Sequence, residues 1–144
     1  MIGVLPVTLS LVNELDSVSS NGTPAWDSAR YLREILKAPV YEAAEHTPLQ
    51  EMPALSARLG NTVEVKREDL QTVHSFKIRG AYNAMRSLSP AERERGVVTA
   101  SAGNHAQGVA RSAALLGMSA IIVMPTVTPQ IKVDAVRALG GEVR

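Results

Sequence analysis

The chain has 144 residues, 45% of them hydrophobic and 20% charged, a soluble globular balance that excludes wholesale disorder and suffices for one domain with a core. Its net charge of +1 offers no basic field for nucleic acid and no acidic field for a cationic partner. With no cysteine there is no disulfide framework, thiolate metal site or cysteine nucleophile, no metal is expected, and the absence fits a cytoplasmic protein.

The apolar opening from Met1 to Val12 lacks a basic start, runs into Asn13, Glu14 and Asp16, and is too short to span a bilayer. Residues 1–25, which carry Ser19-Ser20-Asn21-Gly22 and Thr23-Pro24, read as a variable, flexible leader. A helix is predicted from Trp26 to Lys37, with Trp26, Ala29, Leu32, Ile35 and Leu36 at helical spacing and Pro39 as its stop. Thr47-Pro48-Leu49 reads as extended, and Met52 to Leu59 as a short amphipathic helix ended by Gly60. Thr62 to Arg67 alternates like a strand and is closed by Glu68-Asp69.

Ser75 is expected to cap a helix from Phe76 to about Leu88, which puts Lys77 in its first turn. Ser89-Pro90-Ala91-Glu92 is a capping box with proline at the first helical position, opening a short helix that ends at Gly96. Val97 to Ala100 is predicted as a buried strand, Ser101-Ala102-Gly103 as a tight loop, and Asn104 to Leu116 as a helix with a small-residue face of Ala106, Val109, Ala110 and Ala113. Gly117 ends that helix, and Ser119 to Met124 is a second buried strand. Thr128-Pro129 is expected to cap a last helix through Leu139, and Gly141 to Arg144 reads as the start of a third strand. The series is βαβ in type, so the fold class is α/β with a parallel sheet and right-handed crossovers.

In such sheets ligands sit where strands hand over to helix N-termini, and two loops qualify. In His74-Ser75-Phe76-Lys77-Ile78-Arg79-Gly80 a lysine stands beside a serine, an aromatic ring and a glycine, where an amine can be partly desolvated, held still and engaged by an aldehyde. On the heptapeptide alone, an ordinary surface lysine is the better reading. In Ser101-Ala102-Gly103-Asn104-His105 the glycine admits a ligand close to the backbone, and the free N–H groups of the helix start favour a carboxylate or phosphate. Asn104 adds a donor and an acceptor, while His105 reads as a structural hydrogen-bonder before it reads as an acid–base group. Alone this loop is a weak anion signal, with neither a P-loop lysine nor dinucleotide glycine spacing.

Lys66-Arg67-Glu68-Asp69, followed by Ser75 to Ala81, resembles the cofactor-lysine signature of the serine/threonine dehydratase family of pyridoxal phosphate enzymes, and Thr99 to Ala110 resembles its substrate loop. Ala38 to Ala44 and Ile131 to Val136 resemble the biosynthetic threonine dehydratases (threonine ammonia-lyases) within it. The likeness covers about Tyr31 to Arg144, several motifs agreeing in order and spacing. It implies an incomplete piece of the tryptophan-synthase-β-like, fold type II architecture, with pyridoxal 5'-phosphate as cofactor and L-threonine or L-serine as substrate. By the same resemblance Lys77 would carry the cofactor and act as the base at the substrate Cα. Phe76 would pack beside the cofactor, Asn104 would bond its 3′-oxygen, and Ser101, Ala102, Gly103, Asn104 and His105 would hold the substrate carboxylate. The implied reaction is α,β-elimination of L-threonine to 2-oxobutanoate and ammonia, the entry to isoleucine synthesis.

Racemases of the family carry a second serine where this chain has Ala102, so the resemblance favours elimination over racemisation. It also implies that residues 26–144 are an N-terminal portion of the catalytic domain, truncated before the glycine-rich phosphate loop and without the C-terminal regulatory domain. On that expectation the chain alone binds cofactor weakly or not at all, and the alternatives are a serine dehydratase or racemase relative and a non-catalytic truncated gene product. Neither a nucleic acid nor a membrane is an expected partner, and full-length relatives are expected to be homo-oligomers.

Overall fold

The computed structural model describes residues 27–144, so the expected leader over residues 1–25 and the helix start at Trp26 lie outside the described residues. The chain divides into two units, Met1–Ala38 and Pro39–Arg144. In the first, helix α1 spans Ser28–Lys37, and Asp27 caps it by accepting from the Arg30 N–H. An aspartate there satisfies one of the donors that a helix start leaves free.

The second unit opens with a 3-10 turn, Val40–Glu42, and then an antiparallel pair that local patterning did not reveal. Strand β1 (Leu49–Glu51) pairs with β2 (Glu64–Lys66), Gln50 facing Val65, with helix α2 (Pro53–Leu59) between them. Gly60 ends α2 in the left-handed region at φ +60°, the conformation that makes glycine the natural stop. A second 3-10 turn, Glu68–Leu70, follows β2 and leads to helix α3 (Lys77–Arg86) and helix α4 (Pro90–Arg95). The capping box at Ser89 and Glu92 forms as expected, each residue bonding the other's backbone N–H.

The parallel sheet forms in chain order from β3 (Val97–Ala100), β4 (Ala120–Val123) and β5 (Glu142–Val143), with Val97 opposite Ala120 and Ile121 opposite Glu142. Helix α5 (Asn104–Leu116) connects β3 to β4, and helix α6 (Gln130–Ala138) connects β4 to β5. Ala106, Val109, Ala110 and Ala113 of α5 meet Ile122, Val136, Ala81 and Met85 in the main core. The small side chains let α5 lie close to both α3 and the sheet, which is why the alanine-rich face reads as a packing face rather than a weak one.

Three expectations need correction. The strands are half-buried rather than buried: Ala120 and Ile122 are enclosed, whereas Val98 is 69% and Val123 45% exposed. With α5 and α6 packed on one face, the two-residue side-chain period leaves the other face open among the described residues. Ser75 does not cap α3, because Phe76 takes the N-cap position with a helical backbone (φ −64°, ψ −9°) and no side-chain cap bond. A serine cap needs extended backbone at that point. Thr128 likewise makes no cap; Pro129 stands at the start of α6.

Candidate active site

Lys77 is the first residue of α3, and the chain delivers it through a tightly specified turn. Gln71 is 1% exposed and engages Glu45 at both ends of its amide, accepting from the Glu45 N–H at 2.8 Å and donating to the Glu45 carbonyl at 3.0 Å. Val73 is buried against Ala44 and Ile78. His74 then adopts φ +52°, the sole non-glycine among the described residues in the left-handed region, with its N–H donating to the Gln71 carbonyl at 2.7 Å. A bulky residue in that region is held there by its surroundings.

Past Lys77 the helix is pinned by charge. Arg79 donates through Nε and Nη2 to the two oxygens of Glu68, each at 2.8 Å. Thr47 Oγ1 donates to the same carboxylate at 2.7 Å and Gln71 Nε2 at 3.2 Å. The Arg79 hydrogen bonds, reinforced by those of Thr47 and Gln71, hold the Glu68 carboxyl at about 2 against the opposing effect of burial. Its partner Arg79 is raised in turn, chiefly by Glu68, and lies over the Tyr41 ring at 5.2 Å. Farther along α3, burial and the 2.6 Å bond to Glu42 raise the Tyr82 phenol.

The second loop hangs from the end of β3. The Ser101 N–H donates to the Val123 carbonyl at 3.1 Å, and its hydroxyl accepts from the Gly103 N–H at 3.3 Å. Gly103 precedes the first turn of α5 without a side-chain cap, so N–H groups at that helix start lack the usual capping acceptor. A Cβ at Gly103 would meet nothing within 4 Å, so the space beside the loop is open. Asn104 and His105 are exposed and make no side-chain hydrogen bond among the described residues. The structural hydrogen bond expected of His105 is therefore not made.

The two loops are brought together by the packing of α3 on α5, which meet at Lys77 and Gly108. The Lys77 amine makes no hydrogen bond or ion pair among the described residues and lies 5.1 Å over the Phe76 ring. Contrary to the expected partial desolvation, Lys77 and Phe76 are both exposed, since the ring flanks the amine from one side only. A cleft of about 380 Å³ at the carboxyl ends of β3 and β4 is lined by Ala100, Ser101, Ala102, Val123, Met124 and Pro125, and not by Lys77, Asn104 or His105. The cleft thus lies on the sheet side of the Ser101 loop. The unengaged Lys77 amine, the open space at Gly103 and the uncapped start of α5 are features outside that cleft's lining.

Residues 40–144 match the family model described as pyridoxal-phosphate dependent enzyme. The chain belongs to the family of pyridoxal-phosphate dependent enzymes. Among curated members, L-threonine dehydratase biosynthetic IlvA of Escherichia coli is 62% identical over 128 residues, covering 89% of this chain and 24% of that protein. Threonine dehydratase 2 biosynthetic, chloroplastic, of Solanum lycopersicum is 60% identical over 114 residues, covering 79% and 19%. In structure, the processed form of threonine deaminase isoform 2 from Solanum lycopersicum superposes with a TM-score of 0.78 at 57% identity, covering 83% of this chain and 36% of that one. Maize serine racemase gives 0.73 at 36% identity, covering 78% and 34%. The chain spans about a quarter of the length of the curated relatives it matches. Its parallel sheet and covering helices are the fold type II arrangement of pyridoxal phosphate enzymes.

The residues present fit the family's cofactor. The Ser75 hydroxyl, in a residue 7% exposed, has no hydrogen-bond partner among the described residues and stands two positions before the unengaged Lys77 amine. A buried hydroxyl without a bond costs free energy unless a ligand or water completes it. The Glu68, Gln71 and Arg79 assembly and the Gly108 contact escaped sequence reasoning. A glycine inside a helix pattern was the one local signal available for them.

Proposed function

We propose that this chain supplies the lysine-bearing part of a threonine ammonia-lyase site that converts L-threonine to 2-oxobutanoate and ammonia, the first step toward isoleucine, in the cytoplasm. The observation that carries the reading is the seating of Lys77 against α5, the helix that opens at the Ser101–His105 loop. Pyridoxal phosphate, when bound, supplies an electron sink for the pair released as the Cα proton leaves. Lys77 and Phe76 would hold it, with Asn104 as a donor to its ring oxygen.

The rest is work for the chain's own groups. The start of α5, with Ser101 and Asn104, orients the substrate carboxylate by N–H donors and the positive helix end. Lys77 Nζ then takes the proton from Cα. The β-hydroxyl departs as water, and water later releases the amino group as ammonia, so the atoms of L-threonine balance 2-oxobutanoate plus ammonia. Ala102 presents a methyl group with no proton to return, which favours elimination over racemisation. No helix among the described residues is long and apolar enough to cross a membrane. Residues 26–144 then act as the amino-terminal portion of the catalytic domain, and assembly into a homo-oligomer belongs to the same proposal.

The test pairs this chain with the remainder of the Escherichia coli relative, supplied as a second chain, and follows 2-oxobutanoate from L-threonine and pyruvate from L-serine. We expect L-threonine to be the better substrate, with activity falling at least 10³-fold in Lys77→Ala. Equal activity in Lys77→Ala, or racemised serine as the main product, would overturn the reading.

A further inference from the structure

Helix α5 carries a glycine, Gly108, on its buried face, although glycine weakens a helix interior relative to alanine. The reason lies across the interface. A Cβ at Gly108 would stand 3.1 Å from the Lys77 carbonyl oxygen, 3.2 Å from the Lys77 carbonyl carbon and 3.4 Å from the Ile78 nitrogen. These are backbone atoms of the first turn of α3, which cannot swing aside as a side-chain tip would. Ile78 is 0% exposed, and within α5 the buried Ser112 hydroxyl donates to the Gly108 carbonyl at 2.7 Å, so the contact is enclosed on both sides. Gly80, within α3 itself, gives the contrast: a Cβ there would meet nothing within 4 Å. Of the two helix-interior glycines among the described residues, Gly108 alone faces neighbours that a Cβ would crowd.

We propose that Gly108 is a positioning residue for Lys77, its missing side chain setting how closely the lysine-bearing turn seats on the helix that opens at the Ser101–His105 loop. The inference rests on the reading of Lys77 as the cofactor-bearing lysine. Asn104 begins α5, and Gly108 lies one turn farther on, about 6 Å along the axis. A helix is rigid over that distance, so the depth of the contact at Gly108 also fixes the spacing between the root of Lys77 and the donors of the loop. An added methyl displaces the Lys77 backbone by a few tenths of an ångström, which takes up most of the tolerance of about 0.5 Å for groups that must act together. Gly108 itself touches no reacting atom.

The experiment uses the full 144-residue chain, reductively methylated with ¹³C-formaldehyde so that Lys37, Lys66, Lys77 and Lys132 each report by NMR. Variants are Gly108→Ala, Gly80→Ala and the double substitution, in which Gly80→Ala offsets lost helix stability. Gly108→Ala is expected to move the Lys77 resonance while those of Lys66 and Lys132 stay fixed. Gly80→Ala is expected to leave Lys77 unmoved and raise the melting temperature, and the double variant to retain the Lys77 change. On unmethylated chain paired with the remainder of the Escherichia coli relative, trapping with pyridoxal phosphate and borohydride adds a second readout, with selectivity for Lys77 over Lys132 falling at least threefold in Gly108→Ala. An unmoved Lys77 resonance in a folded Gly108→Ala chain overturns the proposal. So does a change shared by every lysine and abolished in the double variant, which would make Gly108 a packing residue only. Failure of the underlying reading looks different: the unsubstituted chain, paired with the remainder of the Escherichia coli relative, would show no preference of the trapped cofactor for Lys77, while the NMR comparison still decides the role of Gly108.

Discussion

At Glu68 one carboxylate accepts from Arg79, Thr47 and Gln71, tying the Thr47 segment and the Glu68–Gln71 turn to the first turn of α3. Its side chain is 15% exposed, so the pair lies between the surface case, where ion pairs are worth little, and the buried case, where losing one partner is severe. Arg79→Met or Glu68→Gln is expected to cost on the order of 2 kcal/mol, read from urea or thermal unfolding. The pH dependence has a definite sign. The folded carboxyl is depressed to about 2 from the ordinary 4.5, so its contribution is fully present above 4.5 and is lost as pH falls toward 2. Unfolding free energy measured between pH 5 and pH 2 should fall less steeply in Glu68→Gln than in the parent; parallel curves would remove Glu68 from the acid limb. None of this was legible in sequence. Glu68 and Asp69 read as the close of a strand, because Arg79 is 11 positions away and Thr47 is 21 positions away.

At the scale of elements, local rules carried furthest where local chemistry decides the outcome. The capping box at Ser89 and Glu92, the stop at Gly117 and the small-residue face of α5 were all readable, each being set within a few residues. Ser89→Ala is expected to lower stability by about 1 kcal/mol in thermal melts, the usual worth of a cap. The pairing of β1 with β2 was not readable, since its register depends on partners 13 to 17 positions apart with a helix between them. The burial of the strands was misread for a related reason: a short run of valine and isoleucine does not say how many faces will be covered. Packing then sets different costs within one sheet. Ile122, at 0% exposed, should cost about 2–5 kcal/mol on substitution by alanine, whereas Val98→Ala should change unfolding stability by under about 1 kcal/mol. Similar losses at the two positions would mean that the open face is covered in solution.

Over the whole molecule, the proposed function rests on two junctions that the sequence marks separately and that lie on two helices packed together. The sequence places Lys77 in a first turn and the Ser101–His105 loop before a helix; packing of α3 on α5 sets one against the other. The resemblance in the motifs supplied the family, and the match over residues 40–144 established it. What motifs could not supply was the reason Lys77 stays where it is, since the Glu68–Arg79 pair and the Gly108 contact arise between distant segments. The most direct measurement pairs the chain with the remainder of the Escherichia coli relative, treats the pair with pyridoxal phosphate, reduces with borohydride and locates the adduct on this chain by peptide mass spectrometry. It should concentrate on Lys77 and disappear in Lys77→Ala without reappearing at Lys66. An adduct shared evenly among Lys37, Lys66, Lys77 and Lys132 would contradict the assignment of Lys77 as the cofactor-bearing lysine.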